Sequence, residues 1–317
     1  MQIFYIKHAD INRQKWDESI ENSANGLIYA YSFYLDTMSE NWDALMMGDY
    51  EVVMPLTWKR KWGITYLYQP AFTQQLGIFG KAAFKEDITE AFLDKAFKLF
   101  SFAEINLNFA NKYRKATREK CNMVLPLNIS FDETEKKFRQ DFVKNFRKNN
   151  LMYDHTEDFK NAILLFEKSK SKKVNISKNN YDHFLQLCGL FKNKGDLIVR
   201  KATMGNGELL STALLFKDRR RIYYILSTTS EEGRKKEANY FLLYNLIKEF
   251  SEQDLIFDFE GSDIPGIKSF FKKFGAIEQP YYFVAINKFP FLPGKIKSSY
   301  NNFKLFSKKI QNLFGSL

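Results

Sequence analysis

The stretch that decides the fold is Arg221–Ser230, which reads RIYYILSTTS and is followed by EEGRKKEAN at 231–239 and YFLLYNLIKEF at 240–250. The first segment is rich in Ile, Tyr and Thr, as is typical of a β-strand. The last is apolar with helix-forming residues, so the polar segment is predicted to lead from a strand into a helix. Such a loop can hold an anion, because the first four backbone N–H groups of a helix have no partner within it.

The segments on either side of this stretch continue the alternation. Two strands are predicted upstream, DLIVRKATM at 196–204 and ELLSTALLF at 208–216, with a helix before them at about 180–192. The predicted downstream elements are a strand LIFDFEGSD at 255–263, a helix IPGIKSFFKKFG at 264–275 and a strand YYFVAINKF at 281–289. The second half is therefore predicted to be a mixed, mostly antiparallel sheet flanked by helices.

The first half shows the same alternation of strands and helices, and 317 residues are enough for two domains of ordinary size. We predict the fold class α/β (α+β), with two tandem domains and a C-terminal amphipathic helix. The expected bounds are 1–131 and 151–290 for the domains, 132–150 for a basic bridging helix and 291–317 for a basic amphipathic tail.

The net charge of +11 favours an anionic partner without choosing among nucleic acid, a nucleotide-linked substrate, CoA and an acidic membrane surface. Lys144, Arg147 and Lys148 form the basic end of the predicted bridging helix. They are either a solvated face or contacts for an anion. The tail 291–317 places apolar residues on one face and lysines elsewhere, so it either packs on its own protein or binds a membrane surface or a partner.

The location predicted from the sequence is cytoplasmic, with peripheral contact at the inner membrane face through the tail. No apolar run approaches the length of a membrane span, and the N-terminus has no signal-peptide pattern. Cys121 and Cys188 lie in apolar sequence and are predicted to be buried free thiols, as suits a reducing compartment. The oligomeric state is not indicated.

Metal and nucleotide sites of the common kinds are not indicated. None of the three histidines lies near a Cys, Asp or Glu at the spacing of metal ligands, so no metal is expected. Neither a G-x-S-x-G motif nor a Walker loop is present in the sequence. These absences disfavour zinc enzymes, α/β-hydrolases and P-loop NTPases.

The order of segments in the second half resembles the core of the GNAT acetyltransferases. The stretch Gly207–Asn287 is similar to the acetyltransferase-like domain of the Fem family, which transfers amino acids from aminoacyl-tRNA to peptidoglycan precursors. It is equally similar to the acetyltransferase-like proteins found beside polysaccharide genes. The segments that carry the resemblance are RIYYILSTTS, a loop with Arg234, the helix opened by Ala238-Asn239, FDFEGSD and GIKSFFKKFGA. In the first half, LYQPAFTQQLGIFG resembles the N-terminal domain of the same proteins.

The resemblance implies a bacterial acyl- or aminoacyl-transferase that moves an acyl group from a thioester or an aminoacyl-tRNA to an amine, in cell-envelope (cell wall) or polysaccharide metabolism. Acyl-CoA or aminoacyl-tRNA would be the co-substrate, with no tightly bound cofactor. The alternative is a non-catalytic GNAT-fold binding or scaffold protein associated with a membrane. The implied acyl-donor residues are Tyr224, Ser227, Thr228, Arg234, Lys235, Lys236, Ala238 and Asn239.

Asp258 and Glu260 are the predicted catalytic residues. Strand alternation would place both on one face, where a carboxylate can accept the proton of an attacking amine. The alternative is that Asp258 caps the helix that follows.

Two positions depart from the acetyltransferase pattern. Glu237 stands where glycine is usual, and Phe271 stands where a tyrosine donates a proton. Lys272, with Lys268 and Lys273 as alternatives, either contacts an anion or covers a helix surface.

Overall fold

The computed structural model describes residues 2–139, 150–170, 176–261 and 263–288. Lys144, Arg147 and Lys148 of the predicted bridging helix lie outside them, as does the predicted tail 291–317.

The strands and helices are labelled in chain order. The strands are β1 (Ile3–Ile6), β2 (Asn41–Met47), β3 (Val52–Lys61), β4 (Ile64–Leu67), β5 (Phe79–Gly80), β6 (Phe102–Asn106), β7 (Arg118–Pro126), β8 (Leu151–His155), β9 (Leu197–Met204), β10 (Leu209–Lys217), β11 (Arg221–Thr229), β12 (Ile256–Asp258) and β13 (Ile277–Asn287). The helices are α1 (Arg13–Asn22), α2 (Ser32–Met38), α3 (Glu86–Leu99), α4 (Phe131–Glu135), α5 (Phe159–Lys170), α6 (Lys178–Lys194), α7 (Glu231–Lys235), α8 (Ala238–Glu249) and α9 (Pro265–Lys272).

These elements form two compact units. The first consists of the described residues of Met1–Cys121 and Gln279–Phe303, and the second of those of Asn122–Glu278 and Lys304–Leu317. The chain therefore returns to the first unit for most of β13 after residues 122–278 of the second unit. The predicted division at residues 131 and 151 follows sequence order and does not anticipate this return.

The first unit is a mixed sheet in the order β1-β2-β3-β4-β6-β13, in which β4 and β6 are parallel and the other neighbours antiparallel. Helix α3 packs on this sheet through Phe92, Leu93 and Ala96, which share one core with Leu67 and Ile105. Their spacing along α3 gives the helix a single apolar face, and burying that face holds it to the sheet.

The second unit is a mixed sheet in the order β12-β11-β10-β9-β8, with residues 122–126 of β7 beside β12. Only β11 and β12 are parallel among these neighbours. Helix α6 begins where Ser177 accepts a hydrogen bond from the Asn180 N–H and ends at Gly195, whose φ is +78°. Between these caps, Phe191 stacks on Phe216 of β10 with ring centroids 4.0 Å apart.

The predicted fold class, mixed sheets flanked by helices, is confirmed, and the tandem relation of the two domains stays a prediction. Strand β8 and helix α5 were not anticipated, and the loop 231–239 contains the short helix α7. Both cysteines are free, but only Cys188 is buried, and burial raises the pKa of its thiol. No helix in the described ranges is long and apolar enough to cross a membrane.

Candidate acyl-donor site

The central feature of the second unit is the divergence of its two parallel strands. Pairing between β11 and β12 runs from Arg221–Ile256 to Tyr223–Asp258 and stops there, whereas β11 continues to Thr229. Beyond this point β10 is the strand partner of β11 among the described residues. The other edge of β11 therefore carries backbone groups that are not paired with a strand.

A β-bulge lies at the point of divergence. Leu214 pairs with Leu226 and Phe216 with Tyr223, so two residues of β11 stand opposite Leu215 alone. The extra residue is Tyr224 or Ile225. Bulges of this kind bend a strand and re-aim its side chains, and they are common beside active sites.

The predicted donor residues of β11 point to different faces. Burial raises the pKa of Tyr224 to about 12, while a hydrogen bond to Ser227 acts in the opposite direction. Thr228, the next residue, pairs with Thr212 and so faces the opposite side of the sheet from Ser227. The Thr228 hydroxyl is buried and has no hydrogen-bond partner in the described structure, and Thr212 beside it lines a cavity of about 170 Å³.

Asp258 ends β12 within a buried network. The residue is 1% exposed, and its Oδ2 accepts a hydrogen bond from Arg221 Nη1 at 2.9 Å. Its Oδ1 accepts from Asn122 Nδ2 at 2.8 Å and from the Glu260 N–H at 3.0 Å. Burial lowers the pKa of Arg221, but the charge of Asp258 and its hydrogen bond, together with Tyr223 and Asp218, raise it on balance. Both oxygens of Asp258 are therefore engaged in holding protein groups.

The loop after Asp258 is held in an unusual backbone conformation. Glu260 has a φ of +59°, in the left-handed region that favours glycine, and Gly261 has a φ of +119°. Asn122 supports this turn by accepting the Gly261 N–H on its Oδ1 at 2.7 Å. Since β12 ends at Asp258, strand alternation does not carry on to Glu260, which lies half-buried on the turn. Strain of this kind persists only where the surroundings enforce it, and it is concentrated at functional sites.

The loop that was predicted to receive the donor packs closely on the end of β10. A Cβ at Gly233 would lie 2.3 Å from the Leu210 carbonyl oxygen, so only glycine fits there. Ser230 caps α7 by accepting the Gly233 N–H at 2.9 Å. Glu237 then adopts a φ of +55° immediately before α8. The residue that replaces glycine in the acetyltransferase pattern thus keeps the glycine-type backbone.

The N-terminus of α8 offers backbone donors. In the described structure the N–H groups of Ala238 and Asn239 make no hydrogen bond, and one carboxylate oxygen of Glu237 is buried without a partner. Such N–H groups suit an oxygen of a bound ligand. The Glu237 carboxylate beside them would repel a ligand oxygen that carries a strong negative charge.

The cations of this loop are largely neutralised. Lys235 lies 3.7 Å from Glu232, and Lys236 lies 3.4 Å from the same carboxylate. Arg234 donates to the Thr229 carbonyl at 2.9 Å. Arg234, Lys235 and Lys236 are matched by three acidic residues in the same loop, Glu231, Glu232 and Glu237.

A tyrosine that the sequence did not single out lies in the first turn of α8. Lys273 Nζ donates to the Tyr240 hydroxyl at 2.6 Å, and the Tyr240 ring meets Phe270 edge-on at 4.7 Å. Phe271, at the position of the acetyltransferase tyrosine, is buried against Phe259. The tyrosine hydroxyl group beside Phe270 and Lys273 is therefore contributed by α8 and not by α9. Its only signal in the sequence is an aromatic residue within one turn of the donor loop.

The predicted anion contact Lys272 is engaged in an ion pair. Its Nζ lies 2.7 Å from Glu278, which also binds Lys268 at 2.6 Å. Hydrogen bonds from Lys268 and Lys272 lower the pKa of Glu278 to about 2. Among the described residues no group of three or more His, Cys, Asp or Glu side chains could hold a metal ion.

Residues 136–272 match the family model of the acetyltransferase (GNAT) domain. This stretch is similar to a GNAT-type acetyltransferase domain, and it includes the diverging strands and the donor loop. A crystal structure of FemX is similar over 91% of this chain and 98% of its own, with a TM-score of 0.65 and 14% identity. A conserved protein of unknown function from Bacteroides thetaiotaomicron is similar over 87% of this chain and 97% of its own, with a TM-score of 0.56 and 10% identity. At these identities the likeness concerns the fold. No curated protein matches the chain by sequence.

Proposed function

We propose that the chain transfers an acyl or aminoacyl group from an activated donor to an amine. The observation that carries this proposal is the divergence of β11 from β12 at Tyr223–Asp258, beside a helix that begins with unbonded N–H groups. A donor carbonyl lying against the open edge of β11 would find backbone N–H groups that can stabilise a developing negative charge.

The reaction requires one proton to leave the amine and one to reach the leaving group. The amine nitrogen attacks the donor carbonyl carbon, and the ester C–O or thioester C–S bond then breaks. Glu260 accepts the proton of the amine, and the Tyr240 hydroxyl donates one to the departing oxygen or sulfur. Lys273, which already contacts that hydroxyl, stabilises the phenolate that results. In this scheme Asp258 is a positioning residue, since its oxygens hold Arg221, Asn122 and the backbone of Glu260.

The charges of the donor loop favour an aminoacyl ester of tRNA over a CoA thioester. A CoA pyrophosphate would meet the Glu237 carboxylate at the N-terminus of α8, and the neighbouring lysines are already paired with glutamates. An aminoacyl group brings a positive ammonium and no phosphate to the same place. We assign the acceptor amine to a precursor of the bacterial cell envelope or of a polysaccharide, in a cytoplasmic reaction.

Donor binding tests this proposal directly. A thermal-shift comparison should show stabilisation by aminoacyl-tRNA and a smaller shift, or none, with CoA and acetyl-CoA. A ligand at about a hundred times its Kd adds roughly 2.7 kcal/mol of stability. Deacylated tRNA is the control for binding of the RNA alone. Binding of neither aminoacyl-tRNA nor any CoA would contradict a transferase.

A non-catalytic binding or scaffold role is the second candidate, and Glu237 and Phe271 are the residues that favour it. The two accounts differ in what the chemistry-bearing side chains must do. A Glu260→Gln/Tyr240→Phe double variant should still bind the donor but fail to replace the wild-type protein in a strain that lacks it. Full replacement by the double variant would establish the binding role.

A further inference from the structure

The hairpin between β3 and β4 ends in an unusual turn. Lys61 pairs with Ile64, so the connection is the two-residue turn Trp62-Gly63. Both residues have positive φ, +50° and +78°. Turns of this type favour Asn-Gly or Asp-Gly, because a side chain as bulky as tryptophan is strained there. A Cβ built on Gly63 would meet no atom within 4 Å, so the tip stands clear of the rest of the protein.

Trp62 differs from the other three tryptophans of the chain. Trp16, Trp42 and Trp58 donate their indole N–H groups to the Ala30 carbonyl, Asp36 and Asp43, at 2.7–2.8 Å. Trp62 makes no such bond in the described structure and is 56% exposed. An exposed indole with an unused N–H is the arrangement found where tryptophan lies at a boundary between water and an apolar phase.

Cations flank this ring without acidic partners. Arg60 and Lys61 are exposed and form no ion pair with any described residue, and Lys61 Nζ lies 4.5 Å from the centre of the Trp62 ring. Lys59 before them pairs with Glu40, but the tip itself, Arg60–Gly63, contains no acidic residue. The tip therefore combines unneutralised positive charge with one large apolar group.

A second apolar side chain lies at the same end of the first unit. Strands β4 and β6 are parallel with Leu67 beside Ala103, so the segments that precede them reach the same end of the sheet. The segment before β6 is the end of α3, where Leu99 is 45% exposed next to exposed Lys98. An aliphatic side chain gains from entering an apolar phase but offers no flat face for stacking on a nucleic-acid base.

We infer that the Arg60–Gly63 tip docks the protein on a phospholipid bilayer that contains anionic lipids. Trp62 enters the interfacial region, Leu99 at the same end of the sheet adds apolar surface, and Arg60 and Lys61 contact lipid phosphates. Single cations add modestly to such binding, and one aromatic ring sets its depth. This surface is separate from the predicted amphipathic tail and belongs to the other unit from the acyl-donor loop.

Vesicle binding of the full chain tests the inference. Co-sedimentation with vesicles of phosphatidylglycerol and phosphatidylcholine should exceed that with phosphatidylcholine alone and should weaken as salt rises. Trp62→Asn is the informative variant, because Asn-Gly is a preferred dipeptide for this turn and the hairpin should fold at least as well. We expect it to weaken vesicle binding about tenfold or more while leaving the melting temperature unchanged or raised. The pair Arg60→Ser/Lys61→Ser should weaken binding about thirtyfold.

Phe84→Ser is the matched control. Phe84 is 49% exposed between Lys81 and Lys85 but follows β5, which pairs with the start of β3, at the opposite end of that strand from Trp62. The Phe84→Ser variant should bind vesicles as well as the wild type does. A blue shift of tryptophan emission on adding vesicles, lost in Trp62→Asn, would report insertion of this ring whatever the tail does. Unchanged vesicle binding and an unchanged shift in the tip variants would overturn the inference. So would loss of tRNA binding with vesicle binding intact, which would assign the tip to RNA.

Discussion

Each unit contains a carboxylate on a strand, fully buried in Asp258 and half-buried in Glu104, and the two are opposite in their surroundings. Asp258 of β12 has three hydrogen-bond donors within 3.0 Å, one of them the cation of Arg221. Glu104 of β6 has no hydrogen bond or ion pair with any described residue, and burial raises its pKa to about 7. The oxygens of Asp258 are held by a cation and two further donors, whereas burial disfavours the charged form of Glu104.

The contrast shows that a sequence motif and a chemical environment are different kinds of information. Asp258 drew attention because it lies in FDFEGSD, yet its oxygens are engaged by the protein itself. Glu104 lies in FAEIN, which resembles no motif, yet it titrates in the range where proton transfer is useful. What separates the two residues is their partners, and those come from strands distant in the sequence.

The largest effect should come from removing the partner of Asp258. Arg221→Met leaves a buried carboxylate without its cation, which typically costs 3–5 kcal/mol. Urea unfolding should show this loss, whereas Arg219→Met, at an exposed position two residues earlier, should stay within about 0.5 kcal/mol. A loss below about 1 kcal/mol for Arg221→Met would mean that Asp258 does not depend on this ion pair.

Removing the charge of Glu104 should raise the stability of the fold instead of lowering it. Because its pKa is about 7 in the folded chain, the folded state keeps a proton that the unfolded state has already lost above pH 4.5. Its contribution to stability is therefore fully present below about pH 4.5 and is lost as the pH rises to about 7. Glu104→Gln should gain up to about 3 kcal/mol relative to the wild type at pH 8 and little at pH 4. Unfolding measured across this range would contradict the assignment if the difference between the two proteins were flat.

The smallest change in stability, within about 1 kcal/mol, is expected at Glu237. Glycine there relieves the left-handed strain but removes a favourable negative charge from the N-terminus of α8. The effect of Glu237→Gly on ligand affinity should be larger, because the change removes a carboxylate that lies near the N–H groups of Ala238 and Asn239. Calorimetric titration with CoA should show affinity raised about tenfold.

Glu237→Gln is the matched control for this change, since it removes the charge and keeps the strained backbone. An affinity gain shared by both variants would identify the carboxylate as the obstacle. A gain for glycine alone would identify the side chain's bulk. If neither variant binds CoA more tightly, the loop does not face the donor.

Much of the fold could be predicted because its signals are local. The predicted strands β9, β10 and β11 and the helix α8 lie close to their observed bounds, since each is a periodic apolar segment closed by turn residues. The substitution of glycine by Glu237 could likewise be noticed in the sequence, and the structure adds that its backbone is left-handed.

The features that could not be predicted depend on contacts between distant segments. Nothing in FDFEGSD indicates that Asn122 and Arg221 occupy the oxygens of Asp258, because these partners are 136 and 37 positions away. Nor could the pairing of Lys273 with the hydroxyl of Tyr240 be read from either helix alone. Strand β12 also ends sooner than its apolar run implies. The turn after it is fixed by Asn122 and Asp258, which accept hydrogen bonds from its backbone.

The return of β13 to the first unit bears on how the protein is made. Asn106 and Phe283 are paired neighbours in the finished sheet, yet residues 122–278 of the second unit are synthesised between them. During synthesis, the edge of β6 that pairs with residues 283–287 stays unpaired until those residues leave the ribosome. The intervening residues therefore have time to fold first. Premature termination between residue 121 and β13 would therefore damage the N-terminal unit, although every residue of 1–121 had been made.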